Sequence, residues 1–164
     1  MRHGTLDLFA ALNVATGEVI ARCKPQHRAQ DFVAFLREIE GSVAPGLEIH
    51  VVLDNLSAHR APPVQRWFLR HPRVQFHFTP TYASWLNQVE RFFGLLTEKA
   101  LKRGSHTTIV QLRAAILANV DTHNEPGTPF DSTYPRNHGS RGLALLARDF
   151  DRPHLGPFFE VESC

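Results

Sequence analysis

Two acidic residues, Asp54 and Glu90, stand where carboxylates can bind a metal ion in an α/β protein. Asp54 closes the apolar run LEIHVVL at residues 47–53, which has the composition of a strand buried in an α/β sheet. Glu90 falls in the first turn of a helix predicted over residues 87–103, and thirty-five residues separate the two acids. Two Mg²⁺ ions about 3.5–4 Å apart, held by oxygen ligands, can activate the attacking oxygen of phosphodiester chemistry and stabilise the leaving one. The pair therefore suggests metal-dependent chemistry on nucleic acid.

Each acid also has a structural interpretation that the residues alone leave open. Asp54 would then start a loop and accept backbone hydrogen bonds, and Glu90 would be a helix-start carboxylate favoured by the helix dipole. A two-ion site normally needs a third carboxylate. Asp7, the only acid on the first predicted strand, is weighed both as that ligand and as an exposed strand residue.

The elements that would position these acids alternate between strand and helix. Residues 5–14 and 18–23 predict a β-hairpin, because a short connection containing Gly17 joins two strand-like runs. Thr107 or Thr108 would cap the last helix. The helix over residues 87–103 has a core stripe of Val89, Phe93, Leu96 and Ala100. Apolar spacing predicts further helices over residues 29–40, 62–71 and 109–123 and strands over residues 47–54 and 74–78. This order predicts an α/β fold.

Composition narrows the function classes. A chain of 164 residues suits one domain, and its net charge of +2 permits a polyanionic partner without requiring one. Cys23 and Cys164 lie far apart, which argues against a disulfide framework or a cysteine zinc site and favours a reducing cytoplasm. No apolar run approaches the roughly 20 residues that span a bilayer. The ten histidines form no His-Glu-x-x-His pair.

Two runs around the acids carry a family resemblance. HVVLDNLSAH at residues 50–59 resembles the second-Asp motif of DDE transposases. FTPTYASWLNQVERFFG at residues 78–94 resembles the third-acid motif of the bacterial insertion-sequence 630 group, which is related to mariner elements. LFAALNVATGEVIARC at residues 8–23 is similar to a hairpin of that group, and the resemblance covers roughly residues 2–124.

The resemblance implies a fold and a site. The fold would be α/β, a ribonuclease H-like mixed sheet flanked by helices and lacking its first strand. Asp54 and Glu90 would hold Mg²⁺ or Mn²⁺. Asn55 and His59 would lie behind the metal ligands or near DNA. Trp85 and Asn87 would shape the loop and helix start, although Trp85 also suits a core position and Asn87 a simple helix cap.

The resemblance also implies a partner, the double-stranded DNA of transposon ends and target. Four basic residues on or near the Glu90 helix would contact its phosphates: Arg91, Lys99, Lys102 and Arg103. Without the resemblance, they would be a solvated helix face with Glu98 as a local ion partner. A homodimer and a location at the bacterial nucleoid, in the cytoplasm, complete the expectation.

The chain departs from the family at both ends. The family's first catalytic Asp lies on a strand upstream of the hairpin, and we expect this chain to begin too late to contain it. We therefore divide the chain into a partial catalytic core, residues 1–130, and an irregular tail, residues 131–164, whose composition resembles a frame-shifted reading. Two functions follow: metal-dependent DNA cleavage and strand transfer, or a non-catalytic remnant that only binds DNA or itself.

Overall fold

The first two strands form the predicted hairpin. The computed structural model describes residues 6–14, 16–53, 60–78, 94, 96, 106–125 and 158–163. Strand β1 (Asp7–Asn13) pairs antiparallel with β2 (Val19–Lys24). Gly17 adopts a φ of 75° in the connection and donates its N–H to the Asn13 carbonyl at 2.8 Å. A residue with a side chain rarely adopts this backbone conformation, so glycine makes the tight return possible.

Helix α1 (Ala29–Ser42) packs against one face of this sheet. Its buried residues recur at helical spacing and include Phe32, Phe35, Leu36 and Ile39. Phe32 and Phe35 lie with ring centroids 6.1 and 5.8 Å from that of Phe9 on β1. The apolar stripe of α1 therefore determines which side of the helix packs against the sheet.

Strands β3 (Ile49–Leu53) and β4 (Val74–Phe78) are parallel neighbours connected through α2 (Pro62–Arg70). Their register pairs Ile49 with Val74 and Leu53 with Phe78. Pro62 begins α2, where a missing N–H costs no helical hydrogen bond. Both strands and the helix occur where the apolar spacing predicted them.

The fifth strand, β5 (Phe158–Ser163), lies in the middle of the sheet, whose order is β2-β1-β5-β3-β4. It pairs antiparallel with β1 and parallel with β3. Phe159 and Val161 are buried at 2% and 0% exposure, so alternate residues of this strand enter the core. For these six residues the structure has a strand where irregular chain was predicted. The rest of the range 131–164 lies outside the described residues.

Helix α3 (Ile109–Asn124) covers the opposite face, near the hairpin. Thr108 caps its N-terminus by accepting a hydrogen bond from the Gln111 N–H at 3.2 Å. At the other end, the Asn124 side chain accepts from the Val19 N–H and donates to the Val19 carbonyl, both at 2.8 Å. The helix is thereby fastened to the start of β2.

Two hydrophobic cores result, one on each face of a mixed α/β sheet. The first core contains Phe9, Ala11, Val51, Leu53 and Val161 with residues of α1 and α2. The second contains Leu8, Ala10, Leu12, Val19, Ala21, Cys23, Leu96, Ile116 and Val120. Leu96, which is helical, occupies the core as its stripe predicted. Among the helices that the structure describes, none is long and apolar enough to cross a membrane.

Candidate active site

The carboxyl ends of β3, β4 and β5 meet at one edge of the sheet, because these three strands run parallel. Leu53, the last residue of β3, pairs with Phe78 on β4 and with Val161 on β5. Asp54 follows Leu53 directly in the sequence. Because β3 ends at this edge, we expect Asp54 to lie there as well.

The predicted site residues themselves lie outside the described part of the chain. Their positions relative to one another therefore remain predictions. They are the metal ligands Asp54 and Glu90, their neighbours Asn55, His59, Trp85 and Asn87, and the basic residues Arg91, Lys99, Lys102 and Arg103. Within the ranges that the structure describes, no group of three or more His, Cys, Asp or Glu residues could hold a metal ion.

Asp7, the alternative third ligand, does lie in the described chain. It pairs with Lys24 at the start of β1 and lies on the same face of that strand as Phe9 and Ala11, which belong to the first core. Leu96, from the stretch predicted as the Glu90 helix, lies in the second core on the other face. Because strand side chains alternate between faces, this placement gives Asp7 no support as a ligand that would act together with Glu90.

Two histidines on neighbouring strands contact each other within the sheet. His50 Nδ1 on β3 lies 2.9 Å from His77 Nε2 on β4, and the rings stack at 5.2 Å between centroids. Burial, and secondarily the neighbouring His50, holds the pKa of His77 below its ordinary value. The sequence contains both residues inside strand-like runs, but only the register of β3 and β4 brings them together.

A pocket that the sequence motifs did not reveal opens between α2 and β4. It has a volume of about 450 Å³. We call it the aromatic–arginine pocket, and it is lined by Arg60, Val64, Gln65, Phe68, Phe76 and Phe78. The sequence feature that could have indicated this pocket is its basic segment: residues 55–89 contain no acid but include Arg60, Arg66, Arg70 and Arg73.

Comparisons with known proteins agree with the sequence motifs. The family model described as DDE superfamily endonuclease matches residues 1–113, and the chain belongs to that family. A protein described as the insertion element IS630 uncharacterized 39 kDa protein, from Shigella sonnei, is 25% identical to the chain over 139 residues. That match takes in 85% of this chain but 38% of the relative's length. The predicted resemblance to the insertion-sequence 630 group is thereby confirmed.

Proposed function

We propose that this chain is the catalytic core of an insertion-element transposase that cuts and joins DNA with the help of Mg²⁺ or Mn²⁺. The observation that carries the proposal is the position of Asp54, directly after a buried strand whose carboxyl end meets those of two parallel neighbours. The family match over residues 1–113 supports the same chemistry. The DNA substrate, comprising transposon ends and target, belongs to this proposal.

The proposed ligands Asp54 and Glu90 offer only oxygen donors, which fit Mg²⁺ or Mn²⁺. When bound, such ions lower the barrier to attack at a phosphodiester by stabilising charge on its oxygens. The protein's contribution is to hold the two carboxylates at the sheet edge and to shape the approach through Asn55, His59, Trp85 and Asn87. The basic residues Arg91, Lys99, Lys102 and Arg103 would bind DNA phosphates without reading sequence.

Strand β5 lies between the hairpin and the parallel strands of the sheet. It runs antiparallel to β1, on the side away from β2, and parallel to β3. Its carboxyl end therefore meets that of β3, where Asp54 follows in the sequence. We propose that β5 contributes a ligand to the same site.

The same strand offers a third carboxylate, Glu162. Leu53 pairs with Val161, and the next residues along the two parallel strands are Asp54 and Glu162. On its other side, Glu162 pairs with Ala10. Glu160 stands two residues earlier, opposite Leu12 and Val52. Glu162 is therefore the acid of β5 that we propose as the third ligand.

The test compares metal-dependent nicking of transposon-end DNA by the unaltered chain with that of a panel of variants. The double variant Asp54→Ala, Glu90→Ala should lose cutting. Glu162→Gln should lose most cutting and most Mn²⁺ binding by calorimetry, while Glu160→Gln, the matched control on the same strand, should keep both. Circular dichroism melting of each variant separates a lost ligand from a lost fold.

Each outcome bears on a different part of the proposal. Cutting that survives in the double variant would contradict the roles of Asp54 and Glu90. Equal behaviour of Glu162→Gln and Glu160→Gln would contradict the third-ligand assignment alone. If the folded chain binds DNA without cutting it, the non-catalytic remnant becomes the better description.

A further inference from the structure

The aromatic–arginine pocket presents three phenylalanine rings in succession. The Phe68 ring from α2 stacks on Phe76 with centroids 4.7 Å apart and planes inclined by 18°. Phe78 stands edge-on to Phe76 at 6.4 Å. Phe68 and Phe76 also pack against the first core, which anchors the inner part of the row. The rings form a rigid wall because two regular elements hold them.

The outer end of this row is exposed and carries a cation. Phe78 is 41% exposed although it is a large apolar residue at the end of a strand. The Arg60 guanidinium lies 5.3 Å from the centre of its ring, within the range of a cation–π contact. A flat aromatic face beside a flat cationic group suits a planar π system that is attached to negative charge.

Arginine is the charged residue type of α2 and of the segment before it. Arg60 lines the pocket, whereas the exposed Arg66 and Arg70 lie on the side of α2 away from Val64 and Phe68 and are neighbours on its surface. Arg73 is already engaged, since its Nε lies 3.0 Å from Glu40 Oε1. With no acid in residues 55–89, the other three guanidinium groups favour an anionic partner.

The pocket also adjoins the proposed site of chemistry. Phe78 pairs in register with Leu53, the residue directly before Asp54. Adjacent strands lie about 4.7–4.9 Å apart, so the exposed ring starts one strand away from the chain that leads into Asp54. Phe78 and Leu53 share the first-core face of the sheet, whereas Glu162 pairs with Ala10 of the second core. A group held in the pocket would therefore belong to substrate that passes around the carboxyl edge of the sheet near the proposed site.

We infer that the aromatic–arginine pocket holds an unpaired nucleotide of the DNA beside the cleavage point. Its base stacks on Phe78, and the Arg60 guanidinium beside that ring supplies the positive charge that attracts the nucleotide. Stacking tolerates any base, since every base has a π face, whereas a base within a duplex is already stacked and paired. The inference rests on the proposed function, because it assigns a binding site for that function's DNA substrate.

The test measures DNA binding in EDTA, so that it does not depend on metal or cutting. Fluorescence anisotropy follows the full chain with a single strand of about 12 nucleotides, an abasic strand of that length and a duplex. Phe78→Ala should weaken binding of the normal single strand by at least about five-fold. It should change binding of the abasic strand and of the duplex by less than about two-fold by the same reasoning.

Matched variants separate stacking from charge and from folding. Phe78→Trp keeps an aromatic face and should bind the single strand at least as well as the unaltered chain. Arg60→Ala should weaken binding and reduce the salt dependence, because one phosphate or base contact by a cation is lost. Leu69→Ala is the control, since Leu69 is 79% exposed on the same helix and does not line the pocket.

The outcomes distinguish this inference from the proposed function. If the unaltered chain binds DNA but Phe78→Ala binds the single strand equally well, the pocket assignment is wrong and the proposed function stands. The same conclusion follows if the normal and abasic strands bind alike. If the folded, unaltered chain binds neither single strand nor duplex, the proposed function itself fails. Melting curves of all variants identify any that have lost the fold.

Discussion

His50 and His77 are two titratable side chains in direct contact on the described sheet. Their ring nitrogens are 2.9 Å apart, so one nitrogen must donate its hydrogen and the other must accept it. A proton on both nitrogens would remove the acceptor and place two positive rings in stacked contact. Burial first and the neighbouring His50 second lower the pKa of His77, so both causes favour its neutral ring.

The pair makes stability depend on pH in a defined direction. His77 titrates near pH 6.5 when unfolded and at lower pH when folded. Between those values the unfolded chain binds more protons, so the stabilising contribution is present above about pH 6.5 and is lost as pH falls. We expect the melting temperature to fall between about pH 7.5 and pH 5.5, and to fall less steeply in His77→Gln.

A control on the same strand separates titration from packing. Gln75→Ala also alters β4, where its side chain donates to the Pro72 carbonyl at 3.0 Å, but it removes no titratable group. Its melting temperature should shift by a similar amount at every pH in that interval. A His77→Gln protein that keeps the full pH slope would show that other groups cause it.

At the scale of elements, polar side chains fasten the helices to the sheet. Arg73, just before β4, contacts both the carboxylate and the backbone carbonyl of Glu40 at the end of α1, at 3.0 and 2.6 Å. His71 Nδ1 lies 2.6 Å from the other carboxylate oxygen of Glu40. At the end of α3, the Asn124 side chain bonds to the backbone of Val19 on β2, and His123 Nε2 lies 3.0 Å from the Gly17 carbonyl oxygen.

We expect Asn124→Ala to reduce the free energy of unfolding by about 1–2 kcal/mol, because it removes two hydrogen bonds to Val19 at a partly exposed site. Urea denaturation measures the change. Asn119→Ala is the matched control, since the Asn119 amide donates to the Ala115 carbonyl of its own helix, at 2.9 Å. A loss in Asn124→Ala no larger than in the control would contradict a fastening role.

Local pattern predicted most of these elements, and the reason is physical. Strand β2 and helix α1 each bury one face, so their periodicity is visible in a short stretch of sequence, and β1, buried on both faces, is a continuous apolar run. Thr108 was one of the two predicted caps for α3, and its side chain makes the capping bond. The strand at Phe158–Ser163 escaped prediction because its partners on β1 lie about 150 residues away in the sequence. The histidine pair and the aromatic–arginine pocket likewise depend on register between separate elements.

For the molecule as a whole, β5 is the strand that joins two halves of the sheet. Among the described strands, β1 and β2 form one half and β3 and β4 the other, and β5 pairs with both. Val161 is fully buried between them and packs in the first core. The integrity of the sheet therefore depends on six residues near the C-terminal end of the sequence.

An engineered disulfide tests that arrangement directly. Leu12 and Glu160 are register partners on β1 and β5, so their Cα atoms should lie within about 4.5–5.5 Å, inside the range for a disulfide. We expect Leu12→Cys with Glu160→Cys, in a background free of Cys23 and Cys164, to cross-link on oxidation. A mobility shift on a non-reducing gel that reverses with reductant measures the bond.

The control pair is two residues out of register. Leu12→Cys with Glu162→Cys places the two thiols diagonally, at about 7–8 Å, where a disulfide requires backbone movement. It should cross-link far more slowly. Equal rates for the two pairs, or no bond in the first, would contradict the position of β5 in the sheet.

The central place of β5 also sets the order in which the chain can fold. The β1–β2 hairpin needs only neighbouring residues, but the centre of the sheet closes only after residues 158–163 have left the ribosome. Until then, the facing edges of β1 and β3 expose unpaired backbone groups, which are templates for pairing with other chains. A newly made molecule thus passes through an interval in which aggregation competes with closure, and slower translation of its last residues would lengthen that interval.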